Sequence, residues 1–336
     1  MSGRVLVARA DGRVVRRPLP REGAARALTA AGDGEARWRW VDLARAPAAE
    51  VAACLAALGL PGGALAAALG AVGRESDGCG WLAWGTWGTH LALGLPGPGP
   101  AYEIRFSLHV ILAGRTVLTV RDGPWPDLAR LVRALARQDA EGKALAAELD
   151  EDPCVLAPLL ALPLVDRARR ATRDVVDRGE RIARDIVHRP ARHGLWNAIL
   201  RERRDLLRLR RRYAPLGRTL AALADVPGVG RRARERLREL ADRLGDSLDT
   251  MDMVREGMSS TAEAYASIQS NEINRVMKAL TLVSVLFLPA TLIASIYGMN
   301  FRIPEVGWPG GYAYSLTMMA VVTGALLAYL RRHGWL

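Results

Sequence analysis

The chain has 336 residues, a formal net charge of +12 and a pI near 10.5, and half of its residues are hydrophobic although the mean hydropathy is only +0.05. Its apolar residues must therefore be concentrated in particular segments. A basic excess suggests a nucleic-acid partner, but the arginines alternate with acids, as in Arg234-Glu235-Arg236 and Arg238-Glu239; that is the pattern of a solvated helix face, no recognition motif accompanies it, and nucleic acid is set aside as a partner.

Residues 1–156 carry short apolar or alternating runs at Arg4–Ala8, Trp38–Leu43, Leu82–Leu93 and Tyr102–Val120, bounded by Gly and Pro as strands are. Between them, Ala46–Leu58 and Trp125–Leu149 have helical spacing. The spacing predicts a cytoplasmic α/β domain with a mixed or mostly antiparallel sheet. Residues 157–230 read as a helical hairpin, one arm ending near Val187 and the other running from Leu195 to about Ala224 before the turn at Pro227-Gly228-Val229-Gly230. From Arg231 no proline appears until Pro289. A helix of that length is on the order of 100 Å long; 231–278 is expected to be a stalk that its own domain cannot bury, which points to an oligomer.

Two uncharged runs follow, 279–298 and 311–330, each long enough to cross a bilayer core of roughly 30 Å. Arg275 and Lys278 precede the first and Arg331 and Arg332 follow the second, in a basic tail over 331–336, whereas the loop over 299–310 holds only Arg302 and Glu305. The positive-inside rule places both termini in the cytoplasm, with the protein multi-pass in the inner (plasma) membrane. The opening MSGRVLVARADGRVVRR has no long apolar core, so no signal peptide is expected. Cys54, Cys79 and Cys154 lack metal-ligand spacing and are odd in number, which argues for a reducing compartment.

Within the first run, Ser284, Thr291 and Ser295 fall on one helical stripe, which extends through Leu288, Leu280, Met277 and Asn274 at spacings of three and four. Parallel copies of one helix around an axis need such a stripe; hydroxyls in lipid also bond their own backbone carbonyls, the alternative reading. Directly after it stands Tyr297-Gly298-Met299-Asn300.

This arrangement resembles the CorA family of magnesium channels, whose hallmark is Tyr-Gly-Met-Asn between two terminal membrane helices. Asn274-Arg275-Val276-Met277-Lys278-Ala279-Leu280-Thr281 is similar to that family's approach to its pore helix, Phe301 and Pro304-Glu305 resemble its loop, Tyr213-Ala214-Pro215-Leu216 its cytoplasmic helices, and Trp38–Leu43 an early strand. The resemblance implies a homopentameric funnel whose stalk helices continue as pore-lining helices in the lipid bilayer. Gly298, Met299 and Asn300 would form the outer mouth, with Gly298 allowing a tight turn and Glu305 attracting cations before they enter. Asn274, Ser284, Thr291 and Ser295 would be polar positions along the pore and Met277, Leu280 and Leu288 apolar constrictions. The transported ion is expected to be a divalent cation, Mg²⁺ first and Co²⁺ or Ni²⁺ next, with no resident cofactor. A zinc transporter of the same architecture is the alternative, and a membrane-anchored scaffold is a third reading that has no need of the stripe or the mouth.

Two departures stand out. The loop between Asn300 and Glu305 is one residue shorter than is usual in that family. Where the family has paired acids on an early helix for a regulatory cation between subunits, this chain has Leu65-Ala66-Ala67-Ala68-Leu69. Glu239 and Asp242 lie where the stalk acids lie, either as a possible regulatory metal site or as a solvated face paired to Arg238 and Arg243. His90 and His109, on strand-like segments, are read as packing or surface residues, and His333 as a headgroup-level residue. No Walker loop, nucleophile elbow or HExxH is present, so no enzyme is expected.

Overall fold

Alternation of side chains along β6 (Ile104–Ala113) explains how one sheet serves two cores. Leu108, Val110 and Leu112 point to one face, His109 and Ile111 to the other, and five of the six residues from Leu108 to Ala113 are buried. A two-residue turn with Gly114 at φ +56 returns the chain into β7 (Thr116–Arg121). In this computed structural model, residues 2–8, 14–18, 24–29, 37–59, 79–85, 88–96, 104–137, 139–188, 194–299 and 304–335 are described.

The sheet has seven strands in the order β2-β1-β3-β7-β6-β5-β4, where β1 is Ser2–Ala8, β2 Val14–Pro18, β3 Trp38–Ala44, β4 Gly80–Gly85 and β5 Gly88–Pro96. Only β3 and β7 pair in parallel; every other junction is antiparallel. The strand-like run Leu82–Leu93 falls in the β4–β5 hairpin, and Tyr102–Val120 in the β6–β7 hairpin. The strand β2 has no counterpart in the sequence reading.

One sheet face carries Val5, Val7, Val41, Leu43, Ile111 and Leu118 against α1 (Ala24–Thr29) and α2 (Ala48–Ala57). The other meets α3 (Pro126–Arg137), α4 (Ala140–Glu151) and the long helices α5 (Leu156–His188), α6 (Leu195–Ala224) and α7 (Arg231–Tyr297). Trp125–Leu149, which has helical spacing in the sequence, holds two helices, because Asp139 caps α4 by accepting from the Gly142 amide at 2.8 Å. Leu206, Leu209, Tyr213, Leu216 and Leu220 of α6 and Leu237, Leu244, Met251 and Met258 of α7 are fully or nearly fully buried. Each such side chain contributes about 1.5–3 kcal/mol. A Cβ at Gly80 would lie 2.7 Å from Leu216 Cα, so only glycine lets β4 approach α6 this closely.

Two polar clusters are buried in the sheet. Asp42 accepts from Arg121 Nε and a terminal guanidinium nitrogen, both at 3.1 Å, and from the Thr119 hydroxyl at 3.1 Å; Thr119 in turn accepts from Trp40 Nε1 at 3.0 Å. His90 Nε2 and His109 Nδ1 are 3.1 Å apart, and both rings are buried. Burial, followed by the neighbouring His109, pushes His90 down to about 3; burial also pushes His109 down to about 4, against the opposing pull of Asp122. Both histidines are therefore packing residues. The cysteines are unpaired, and burial raises each thiol to about 12.

The chain divides into two units. The first comprises Met1–Asp185 and His193–Ser259 and contains the sheet and both cores. The second comprises Ile186–Arg192 and Ser260–Leu336 and contains the C-terminal part of α7 and α8 (Gly311–Arg332), joined through a short 3-10 turn at Pro304–Gly307.

Candidate functional site

The C-terminal part of α7 and the whole of α8 are long and apolar enough to cross a membrane, and almost none of either apolar stretch is buried within the chain. In α7, Asn274, Met277, Leu280, Ser284, Leu288, Thr291 and Ser295 are all exposed. Leu282, Val285, Leu286, Pro289, Ala290, Ile293 and Tyr297 are partly or fully covered. The contrast is large, from 72% exposure at Leu288 to 7% at Ile293. At about 100° per residue, the two sets centre on opposite sides of the helix, about 170° apart.

The second helix has its own covered stripe, Gly311, Ser315, Met319, Thr323, Leu326 and Leu330, at spacings of four and three. Lys278 Nζ donates to the Gly334 carbonyl at 3.4 Å, which brings the start of the apolar part of α7 to the end of α8. The two helices thus run antiparallel. Exposed aromatic rings bracket α8: Trp308 meets Tyr314 edge-on beside the highly exposed Tyr312, and Tyr329 meets His333 at the other end. Tyr312 and Tyr329 are about 25 Å apart along the axis, close to a hydrocarbon core flanked by aromatic belts.

The hydroxyls on the exposed face are already oriented. Ser284 donates to the Leu280 carbonyl at 3.0 Å and Thr291 to the Phe287 carbonyl at 2.8 Å. Each hydroxyl hydrogen is committed, so each oxygen presents lone pairs outward as an acceptor. The two readings of the stripe are therefore compatible: the backbone bonds fix the hydroxyls in the form that accepts.

At the C-terminal end of α7, the amide of Gly298 donates to Ala294 O at 3.0 Å and that of Met299 to Ile296 O at 3.2 Å. Gly298 does not adopt left-handed backbone, and a Cβ there would meet Ala294 O at 3.3 Å, a snug contact. The helix unwinds at Gly298 in ordinary backbone geometry, and the turn expected after it falls on residues outside the described set. Met299 is half exposed. Asn300, Phe301 and Arg302 lie outside the described residues, as does the side chain of Glu305, whose backbone is in the 3-10 turn.

On the N-terminal part of α7, Glu239 and Asp242 are exposed. Glu239 accepts from Arg243 one turn on, whereas Arg238 pairs with Asp225 at 2.9 Å and with neither acid. Among the described residues no group of three His, Cys, Asp or Glu side chains converges on one point. Residues 65–69 lie outside the described residues. Missing from the sequence reading was the contact of Lys278 with the tail, since nothing local links positions so far apart.

An α/β unit followed by a long helix that continues into an apolar stretch, with a second apolar helix antiparallel to it, defines a two-span membrane architecture. The chain belongs to the CorA-like Mg2+ transporter protein family, whose model matches residues 36–332. It is similar to the cobalt/magnesium transport protein CorA of Thermotoga maritima, with 36% identity over 137 residues, 40% of this chain and 39% of that one. It is also similar to the magnesium transport protein CorA of Haemophilus ducreyi, with 56% identity over 68 residues, 19% and 21% of the two chains. The matched segments span less than half the length of these relatives. The complete structure of the CorA magnesium transporter from Methanocaldococcus jannaschii superposes with a TM-score of 0.70 over 100% of this chain and 99% of that one, at 17% identity, a likeness of fold.

Proposed function

We propose that the chain is one subunit of a homopentameric divalent-cation channel in the plasma membrane, with both termini cytoplasmic and Mg²⁺ as its main substrate. The observation that carries this reading is the opposition of the two α7 faces. The face with Asn274, Ser284, Thr291 and Ser295 is turned away from the covered side, so it is free to meet copies of itself around an axis. Such an interior would give these polar groups partners that lipid cannot.

The chemistry fits a hydrated ion. Mg²⁺ gives up its water reluctantly, and the waters around it direct hydrogens outward. Acceptors are then what a pore must supply, and Ser284 and Thr291 supply them because their own hydrogens are taken. Asn300 would add amide oxygens at the outer mouth, neutral and therefore able to recruit without trapping. Glu305 in the outer loop would raise the local cation concentration. Met277, Leu280 and Leu288, all more than half exposed in the single chain, would close the path by dewetting when their rings of side chains draw together.

The test is flux into proteoliposomes of the purified protein, comparing Mg²⁺, Co²⁺, Ni²⁺ and Zn²⁺. Mg²⁺ uptake with Co²⁺ and Ni²⁺ as weaker substrates is expected. Zn²⁺ uptake without Mg²⁺ uptake would assign the chain to zinc transport, and no uptake of any of them would sink the channel reading.

A further inference from the structure

Beyond the contacts that place the spans, the end of α8 carries an unused set of charges. Gly334, at φ +70, reverses the backbone just past α8, so that its carbonyl meets Lys278 Nζ and the Trp335 ring lies 5.9 Å from that ammonium. Tyr329 and His333 meet edge-to-face with ring centres 4.4 Å apart. Arg331 and Arg332 occupy the last turn of α8. Among the described residues none of Lys278, Arg331 and Arg332 has a carboxylate within ion-pair distance; the nearby Arg275 uses Glu272 at 3.8 Å. Among the described residues, three cations thus gather at one end of two apolar helices without a carboxylate partner.

The surroundings narrow the choice of counterion. Tyr329 is 58% and Trp335 50% exposed, and both rings are amphipathic. Exposed apolar side chains continue along both helices from this point, Leu327 on α8 and Val283 on α7. A free phosphate would use the cations and leave this apolar flank uncovered. An anionic glycerophospholipid uses both: its phosphodiester meets the guanidinium forks and the ammonium, the rings sit at the boundary, and the acyl chains lie along the helices. The ammonium has three donors, and Gly334 O takes one, leaving others for the phosphodiester.

We infer that Lys278, Arg331 and Arg332, with Trp335 and Tyr329, form a binding site for an anionic phospholipid headgroup. The inference rests on the membrane reading above. It also gives the lipid a route to the pore, because Lys278 stands between Met277 and Leu280, two of the proposed constrictions. A headgroup held by Lys278 fixes the start of the apolar part of α7 and favours whichever state of the constriction presents that lysine to it.

The experiment is lipid retention by the purified full-length protein in neutral detergent, read by native mass spectrometry, titrating phosphatidylglycerol against phosphatidylcholine. The wild type is expected to prefer phosphatidylglycerol by tenfold or more. Arg331→Gln/Arg332→Gln and Lys278→Gln should each bring that ratio toward one, and Arg331→Lys/Arg332→Lys should retain most of it. Inorganic phosphate at millimolar concentration should leave the bound lipid in place. Equal retention of the two lipids by the wild type, an undiminished preference in the glutamine variants, or displacement by phosphate would each overturn the lipid site. The thermal midpoint in phosphatidylcholine identifies a variant that fails to fold, and the lysine variant then decides: loss of preference with a wild-type midpoint overturns the site. Mg²⁺ flux is measured on the same preparations. Flux without lipid preference removes this site and leaves the channel reading standing, whereas lipid preference without flux does the reverse.

Discussion

Asp42 and Arg121 make a two-pronged ion pair across the one parallel junction of the sheet, with both contacts at 3.1 Å and Asp42 only 2% exposed. The pair satisfies itself locally, through Thr119 and the Gly123 carbonyl. Removing one partner strands the other. Asp42→Ala is expected to cost about 3–5 kcal/mol, a fall in thermal midpoint on the order of 10 °C, measurable by differential scanning fluorimetry in detergent. An unchanged midpoint would show that water replaces the carboxylate freely.

The buried histidine pair sets a pH dependence. Both folded-state values lie well below the ordinary 6.5, at about 3 and about 4. Between about pH 6.5 and pH 4 the unfolded chain takes up protons that the folded chain refuses, so the stability is fully present above pH 6.5 and is lost as pH falls below it. The slope is up to about 1.4 kcal/mol per pH unit for each histidine. Midpoints measured from pH 7.5 to pH 4.5 should fall on the acid side, and His90→Leu/His109→Leu should flatten that part of the curve. An identical slope in the double variant would refute this assignment.

At the outer mouth, Asn300→Ala should reduce Mg²⁺ flux at least a hundredfold while size-exclusion chromatography shows an intact oligomer, because the amide serves the ion and not the assembly. Gly298→Ala should be milder than a left-handed position would be, since among the described residues a Cβ there meets Ala294 O at 3.3 Å and Ser295 O at 3.6 Å. Normal uptake by Asn300→Ala would remove Asn300 from the mouth.

The constriction can be wetted from one position. Leu288, 72% exposed on the face opposite Ile293, should bring water into the path when replaced by Asp, raising leak and weakening ion discrimination. Flux and selectivity equal to wild type would place Leu288 against lipid.

Regulation is expected to be weak. Closing a channel with a cation requires tighter binding to the closed state than to the open one, and a Mg²⁺ site needs several oxygens. Glu239 is engaged by Arg243, Asp242 is exposed and makes no ion pair among the described residues, and alanine replaces the acids expected at 66 and 67. Millimolar Mg²⁺ should give little protease protection and little block of flux. Strong protection that vanishes in Glu239→Ala or Asp242→Ala would establish a working sensor.

The α/β character, the uninterrupted long helix and the two apolar helices were legible because each is written in local periodicity: a proline-free stretch from 231 to 288, two uncharged runs, alternation at Leu108–Leu112. The hairpins inside Leu82–Leu93 and Tyr102–Val120 were blurred, because an apolar run does not mark its own turn when glycines are frequent. Arg238 illustrates a different limit. Helical spacing offered it Glu239 and Asp242 as neighbours, but the fold brings Asp225 to 2.9 Å from a preceding helix. The stripe on α7 could be drawn from the sequence, yet its opposition to a covered face could not, since that depends on which residues of the same helix are covered.

The helix α7 runs without interruption through its apolar part, so the exposed stripe through Ser284, Leu288 and Thr291 and the covered set through Val285, Pro289 and Ile293 share one angular clock. Inserting a single residue between 284 and 288 would swing everything after it by about 100°, turning Leu288 and Ser295 toward the covered side and Ala290 and Tyr297 toward the stripe. Length variation in that stretch is therefore quantised: seven residues, two turns, return the faces to within about 20° of their original bearing, whereas one or two residues do not.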